Sequence, residues 1–366
     1  MQISNRQLWW IVLILEIGMN LLLSLKPAIT EARQDAWISY LAAGLFGLAV
    51  GYIAAQTSLL YPKQTLVEFS MTILGKWPGK LVGLLFLLQW YWVISAILRD
   101  EYNFISVSML PYTPPYVILL GMLAVIVYGL QKGGIEAIGR CSELWGPLLL
   151  IILGLIFAMT MHNLDIHSLA PVYADSGLTA IAKGALTPAS LTGEVTLIMM
   201  LFPFVDQPGS TTRRSVLRGV LLSSIILLLG SMWVIMTFEP AVASAMYFPF
   251  FEMVKIVYLV EFIQHVDLLA VAVWLLSVFI KLSVYVFIAS YGTAQWIGKQ
   301  ENWRRMVWFV AVAVFIICMS LISLNPSPEE LLRRVWIYYV MPVHMVALPL
   351  LLWIAGSVRK KKGHTG

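Results

Sequence analysis

The chain has 366 residues, of which 60% are hydrophobic and only 12% charged; that charged share is about half that of a soluble domain, and a mean hydropathy of +0.84 excludes a water-soluble core. A net charge of +5 and a pI near 9.1 could point to nucleic acid, but the basic residues are scattered between apolar runs rather than gathered on one face, which excludes that partner. Cys141 and Cys318 are the only cysteines and lack metal-ligand spacing, so neither a disulfide framework nor a metal site is expected.

An apolar run of about 17 residues or more can cross roughly 30 Å of hydrocarbon as a helix. Ten such spans are predicted, at 8–25, 36–61, 81–106, 114–130, 137–161, 185–205, 215–238, 263–291, 306–325 and 335–356. Arg6 ahead of the first run imitates a signal peptide, but Glu16 lies inside the run and no small-residue cleavage site follows, so a retained first helix is expected. KQTLVEFSMTILGKWPG (63–79) is too polar to span and is expected to lie as a short helix at the membrane interface. PFFEMVKIVYLVEF (249–262) carries Glu252, Lys255 and Glu261 and is expected to cap the outer mouth rather than form an eleventh span. Of the 24 Lys and Arg residues, 16 fall in the even-numbered connections and the termini and six in the odd-numbered connections. The positive-inside rule then predicts that both termini are cytoplasmic.

The expected fold class is therefore an all-α polytopic membrane protein. Ten spans divide into five and five, and an odd number per half requires the second half to be inverted relative to the first. The halves are expected at roughly 1–161 and 177–358 of a single membrane domain, followed by a basic tail at 359–366. Span 1 reads LEIGMN around Glu16 and Gly18, and span 6 reads TGEVTLIMMLFPF around Gly193 and Glu194. Each places a glycine and a carboxylate near mid-membrane, so helices 1 and 6 are both expected to be broken.

An ionisable side chain at the centre of a span costs roughly 2.5 to 3.5 kcal/mol, so retained ones are functional candidates. Glu16 and Glu194 either hydrogen-bond the freed backbone of a broken helix or belong to a ligand or proton site; both readings stand at this point. Lys281, central in WLLSVFIKLSVYVF, is expected to find an internal partner such as Glu16 or the carbonyls of span 1. Arg99, Asp100 and Glu101 are expected to form a solvated helix end, Glu143 to pair with Arg140 one turn earlier, and His344 to be a core residue. No HExxH, P-loop, GxSxG or paired-carboxylate signature occurs, so an enzyme is not expected.

YPKQTLVEFSMTILGKWPGKLVGLLFLLQWYWV (61–93) resembles the span 2 to span 3 region of the spore germination permease family. GRCSELWGPLLL (139–150), TGEVTLIMMLFPF (192–204) and FPFFEMVKIVYLVEFIQHVDLLAVAVWLLSVFIK (248–281) are similar to its later segments, so the resemblance covers nearly the whole chain. Two departures are a span 1 with the bulky opening LWWIVLILEIGMN, and Gln264, His265 and Val266 before Asp267 where the family often has an arginine.

The resemblance implies the amino-acid/polyamine/organocation transporter fold and a receptor in the spore inner membrane with two partners, a membrane-anchored A subunit and a lipoprotein C subunit. It implies no cofactor. A small ligand would sit at mid-membrane between spans 1 and 6, with spans 3 and 8 as walls. The half-helix beginning at Gly18, Met19, Asn20 and Leu21 would aim free N–H groups at a ligand carboxylate, and carbonyls freed around Thr192, Gly193 and Glu194 would take an ammonium group. An amino acid suits such a site; a sugar or a nucleoside remains open. In sodium-coupled members of this fold an ion lies between spans 1 and 8, where Glu16 and Lys281 are expected as the coupling pair, the ammonium standing in for the ion. The competing function is a proton-coupled amino-acid transporter of the same fold.

Overall fold

The computed structural model describes residues 1–174, 176–256, 266–324 and 332–362. Helix α1 (Asn5–Leu23) starts at a reciprocal cap, the Ser4 hydroxyl accepting from the Gln7 amide and the Gln7 side chain accepting from the Ser4 amide. It is apolar on every side and buried along nearly its whole length, as a helix without a polar face must be. This accounts for the bulky residues that open span 1. After Ser24 the chain continues as α2 (Leu25–Ala32), and a left-handed residue, Arg33 (φ 49°), turns it into α3 (Ala36–Leu60).

The expected interfacial helix is present as α4 (Leu66–Leu74), capped reciprocally by Thr65 and Glu68. It leads into α5 (Lys76–Ser108) and α6 (Pro115–Thr160). A straight helix of 46 residues would be about 69 Å long, more than twice the hydrocarbon thickness. Gly134 (φ 56°, ψ −142°) divides α6 into stretches 115–133 and 135–160, which correspond to spans 4 and 5. Nine segments among the described residues are long and apolar enough to cross a membrane, and this division of α6 reconciles them with the ten spans predicted.

The second half runs through α7 (Gly177–Thr192), a 3₁₀ stretch Gly193–Leu197, α8 (Ile198–Leu201) and α9 (Ser210–Ala245), the last broken at Glu239 (φ 62°) ahead of Pro240. A short α10 (Pro249–Lys255) follows, held by a Lys255–Glu252 ion pair of 2.9 Å. Glu261, Gln264 and His265 lie outside the described residues. Then come α11 (Val266–Ile297), α12 (Trp303–Leu324), a π-helical stretch Leu332–Ala347 containing Pro342, and α13 (Leu348–Lys362).

Helix α1 packs against α6, α9 and α11, while α3 lies on α7 and α9. Small residues permit the closest approaches: a Cβ on Gly44 would lie 2.8 Å from Ser224 Cβ, and one on Gly219 2.9 Å from Val12 Cγ1. That is the device by which apolar helices pack when lipid offers no hydrophobic driving force. The outer faces of α6 and α12 expose Leu120, Val125, Ile151, Trp308, Phe309 and Ile316, an apolar surface that suits lipid rather than water.

On the face carrying the N-terminus, Ile3 pairs with the chain after α8, its amide donating to the Phe204 carbonyl at 2.7 Å and its carbonyl accepting from Asp206 at 2.9 Å. Arg6 forms an ion pair with Glu143, which also accepts from Gln7 Nε2 at 3.2 Å. This corrects the expected Arg140–Glu143 pairing. The start of α1 lies across the beginning of span 5 and brings both Arg6 and Gln7 onto the Glu143 carboxylate.

Candidate functional site

Four buried polar side chains meet where α1, the stretch after α7 and α11 converge. Lys281 Nζ lies 2.8 Å from Glu194 Oε2, and the Tyr285 hydroxyl donates to the same oxygen at 2.8 Å. The lysine and glutamate side chains are only 4% and 6% exposed. Glu16 is 3% exposed and within electrostatic reach of both Lys281 and Glu194, and its Oε2 has no hydrogen-bond partner.

Local sequence explains this convergence. Lys281 and Tyr285 are four residues apart on α11, so both project from one face. Glu194 is the second residue of the 3₁₀ stretch that begins at Gly193, where the change of pitch re-aims successive side chains. Pro188 removes one backbone donor in the preceding turn, and the Thr192 hydroxyl lies within hydrogen-bond distance of the carbonyls of Pro188 (3.0 Å), Ala189 (3.2 Å) and Ala43 (3.2 Å). A Cβ on Gly193 would sit 2.4 Å from Met345 Sδ and 3.2 Å from Phe46 Cε1, so a larger side chain there must displace the Met345 side chain and press on α3.

Two cavities open along this cluster. The inner one, of about 50 Å³, is lined by Met19, Leu23, Trp92, Val93, Ala96, Ile97, Asp100, Leu191, Glu194, Lys281 and Trp336. Towards the face opposite the N-terminus a vestibule of about 540 Å³ is lined by Leu22, Leu23, Lys26, Thr30, Glu31, Asp100, Asn103, Lys183, Thr187, Tyr247 and Tyr338, among others. A third cavity of about 50 Å³, with no polar lining, lies beside Gly18, Leu21, Phe104, Phe250 and Trp274.

The predicted site residues separate accordingly. Met19, Glu194 and Lys281 line the inner cavity, with Glu16 beside the ion pair. Gly18 and Leu21 line the apolar cavity instead, and the Gly18 carbonyl accepts from Trp274 Nε1 at 3.2 Å. Asn20 is buried with both side-chain amide atoms unpartnered. Thr192 and Gly193 serve the packing of α7 against α3 and the π-helical stretch.

Four expectations need correction in place. The interruption of helix 1 falls at Ser24 rather than at Gly18–Leu21: residues 18–21 stay helical, because Ser24 closes the turn through its amide on the Asn20 carbonyl at 3.0 Å and its hydroxyl on the same oxygen at 2.6 Å. The ion-pair partner of Lys281 is Glu194 from the span 6 break rather than Glu16 or a span 1 carbonyl, with Glu16 within electrostatic reach. Arg99 and Glu101 are 3% and 0% exposed, so these two are no solvated helix end, while Asp100 between them faces the cavities; α5 packs against α11 and α12. Sequence reasoning missed Tyr285 and Trp336. The four-residue spacing from Lys281 was the available signal for Tyr285; Trp336, whose Nε1 donates to the Ser190 carbonyl at 3.2 Å, had none. His344 is half-buried rather than a fully satisfied core residue: Nε2 lies 3.2 Å from the Leu85 carbonyl, the ring is edge-on to Phe86, and Nδ1 has no partner.

Chemically, the cluster holds two carboxylates against one ammonium. Buried together in a membrane they require one further proton or cation, and a tyrosine hydroxyl is the only neutral donor the cluster adds.

A profile of the family described as "Spore germination protein" matches residues 2–327. Spore germination protein KB of Bacillus subtilis (strain 168) is 25% identical over 366 residues, covering 99% of this chain and 96% of that protein. Spore germination protein XB of Bacillus anthracis is 26% identical over 357 residues, covering 94% and 95%. Among solved structures, a Na⁺-coupled sialic acid symporter in a substrate-bound outward-open state is similar with a TM-score of 0.65 at 12% identity, over 92% of this chain and 79% of that one. MhsT in complex with L-phenylalanine is similar with a TM-score of 0.63 at 14% identity, over 97% and 88%. At such identities the likeness shows the fold alone: the all-helical transporter architecture of two inverted halves.

Proposed function

Since the chain belongs to the spore germination protein family, we propose that it is the permease-like subunit of a germinant receptor, binding a small nutrient at mid-membrane and passing a conformational change to an A-type membrane subunit and a C-type lipoprotein. The observation that carries this reading is the buried Glu194–Lys281 pair with Tyr285 and Glu16, in a family of germination proteins, at the inner end of a cavity that opens through a wide vestibule. An amino acid is the ligand class that the apolar walls and mixed charges of these cavities support. Deletion of the gene, followed by germination assays against amino acids, sugars and nucleosides, tests the reading. Loss of response to one class of nutrient is expected; unchanged germination on every nutrient would contradict it.

A second reading, a proton-coupled amino-acid transporter, is favoured by the carboxylate of Glu16 in excess over the ammonium of Lys281. Uptake of labelled amino acid into proteoliposomes driven by an acid-outside gradient would establish it, and absence of uptake with retained binding favours the receptor.

The charge bias of the connections orients the molecule with both termini in the cytoplasm, so the vestibule faces outward. Once Cys141, the exposed cysteine, is replaced by serine, cysteines introduced at Val172 (54% exposed) and Tyr247 (65%) should react with a membrane-impermeant thiol reagent applied outside, and one at Trp77 (79%) only after permeabilisation. The reverse pattern would invert the topology.

A further inference from the structure

Asp100 and Leu23 line both the inner cavity and the vestibule, so together they form the threshold a ligand crosses between the two. One side of that threshold is apolar, from α1, and the other is a carboxylate, from α5. One to two turns deeper, α5 contributes Trp92, Val93, Ala96 and Ile97, which offer dispersion contact and no charge. One turn shallower it contributes Asn103, level with a vestibule wall that carries Lys26, Lys183 and Glu31. Lys26 also lies over the Tyr247 ring, 5.0 Å from its centre. The vestibule wall thus carries two cationic and two anionic side chains, with one of the anions at the deep end.

We propose that this vestibule is a recognition site for a zwitterion, in which Asp100 at the threshold receives the ammonium group of the ligand while Lys26 and Lys183 at the wider end receive its carboxylate. The inference rests on the amino-acid reading above and deepens it by assigning an orientation, ammonium inward and carboxylate outward. The continuous helical turns at residues 18–21 favour this arrangement, because backbone donors already engaged within α1 are not free for a carboxylate. A wall with equal numbers of opposite charges also selects against ligands of large net charge, since one end of such a ligand would meet a like charge. The volume of about 540 Å³ admits side chains of any size at this stage, and the inner cavity of about 50 Å³ then discriminates by size.

The experiment measures equilibrium binding to the purified full-length protein in detergent. Three probes are used: whichever of the twenty amino acids binds most tightly, its decarboxylated amine, and its deaminated carboxylic acid. Asp100→Asn should weaken the amino acid and the amine alike by roughly 10- to 100-fold, the range of a charge-assisted hydrogen bond, and leave the acid unchanged. Lys26→Gln combined with Lys183→Gln should weaken the amino acid and spare the amine. Asp100→Glu, which keeps the charge, should retain binding, and the thermal midpoint of each ligand-free variant reports whether the fold survives. The proposal is overturned if all three probes weaken equally in Asp100→Asn, or if none does. Binding that responds to Lys281 or Glu194 substitutions but not to Asp100 would leave the mid-membrane site standing and remove this one. Failure of all twenty amino acids to bind the wild type would overturn both.

Discussion

Lys281→Met is expected to abolish germinant response and to lower the thermal stability of the purified protein. The lysine is the only cation in contact with Glu194 among the described residues, at 2.8 Å with both side chains nearly inaccessible. Removing it leaves two carboxylates, Glu194 and Glu16, facing one another's field with only Tyr285 as donor. Breaking a buried ion pair from one side costs on the order of 3–5 kcal/mol, because the surviving charge is stranded. Much of that cost disappears when the partner charge is removed as well. The double variant Lys281→Met, Glu194→Gln should therefore recover a large part of the stability lost by Lys281→Met alone, without recovering response. A double-mutant cycle in thermal midpoints measures this coupling. Additive losses would mean that the two side chains do not act as a pair.

Gly193→Leu is expected to eliminate response while Gly193→Ala reduces it only partially. A Cβ at 193 would meet Met345 Sδ at 2.4 Å, and the flexible methionine can give way; the bulk of leucine would also meet Phe46 Cε1, already 3.2 Å from that Cβ. Forcing extra carbon into a filled core costs roughly 1–3 kcal/mol. Here the force falls on the two residues that flank the helix break presenting Glu194. Met345→Ala should restore response to Gly193→Ala, since it vacates the colliding atom, but should not rescue Gly193→Leu. Germination rate at matched protein level is the readout. Normal sensitivity in Gly193→Leu would show that the break has no part in the response.

How much of this was legible beforehand depended on whether the signal was local. Span number, the interfacial α4 and the break at Gly193 followed from apolar run length, a segment too polar to span and a glycine beside a carboxylate, all of which sit in contiguous sequence. The break of helix 1 was misplaced because Gly18 resembled a breaker, whereas its role is close approach: a Cβ there would lie 3.3 Å from Ser277 Cβ. The charges at 99 and 101 were misjudged because proximity to a helix end says nothing about what packs against that helix, and α11 and α12 come from nearly two hundred residues away. For the same reason Lys281 could be recognised as needing a partner, but the partner could not be chosen. Glu16 and Glu194 lie at similar depth in adjacent helices, and only the pitch change after Gly193 brings the second carboxylate within 2.8 Å.

The central claim is that Lys281 is the cation facing the buried carboxylates and that a proton meets the charge left over, so that ligand response needs no bound sodium ion. Germination of spores whose response depends on this gene, measured with sodium fully replaced by choline, tests it most directly. Equal rates and equal half-saturating nutrient concentrations in the two media are the result expected, and a strict requirement for sodium is the result that would contradict it.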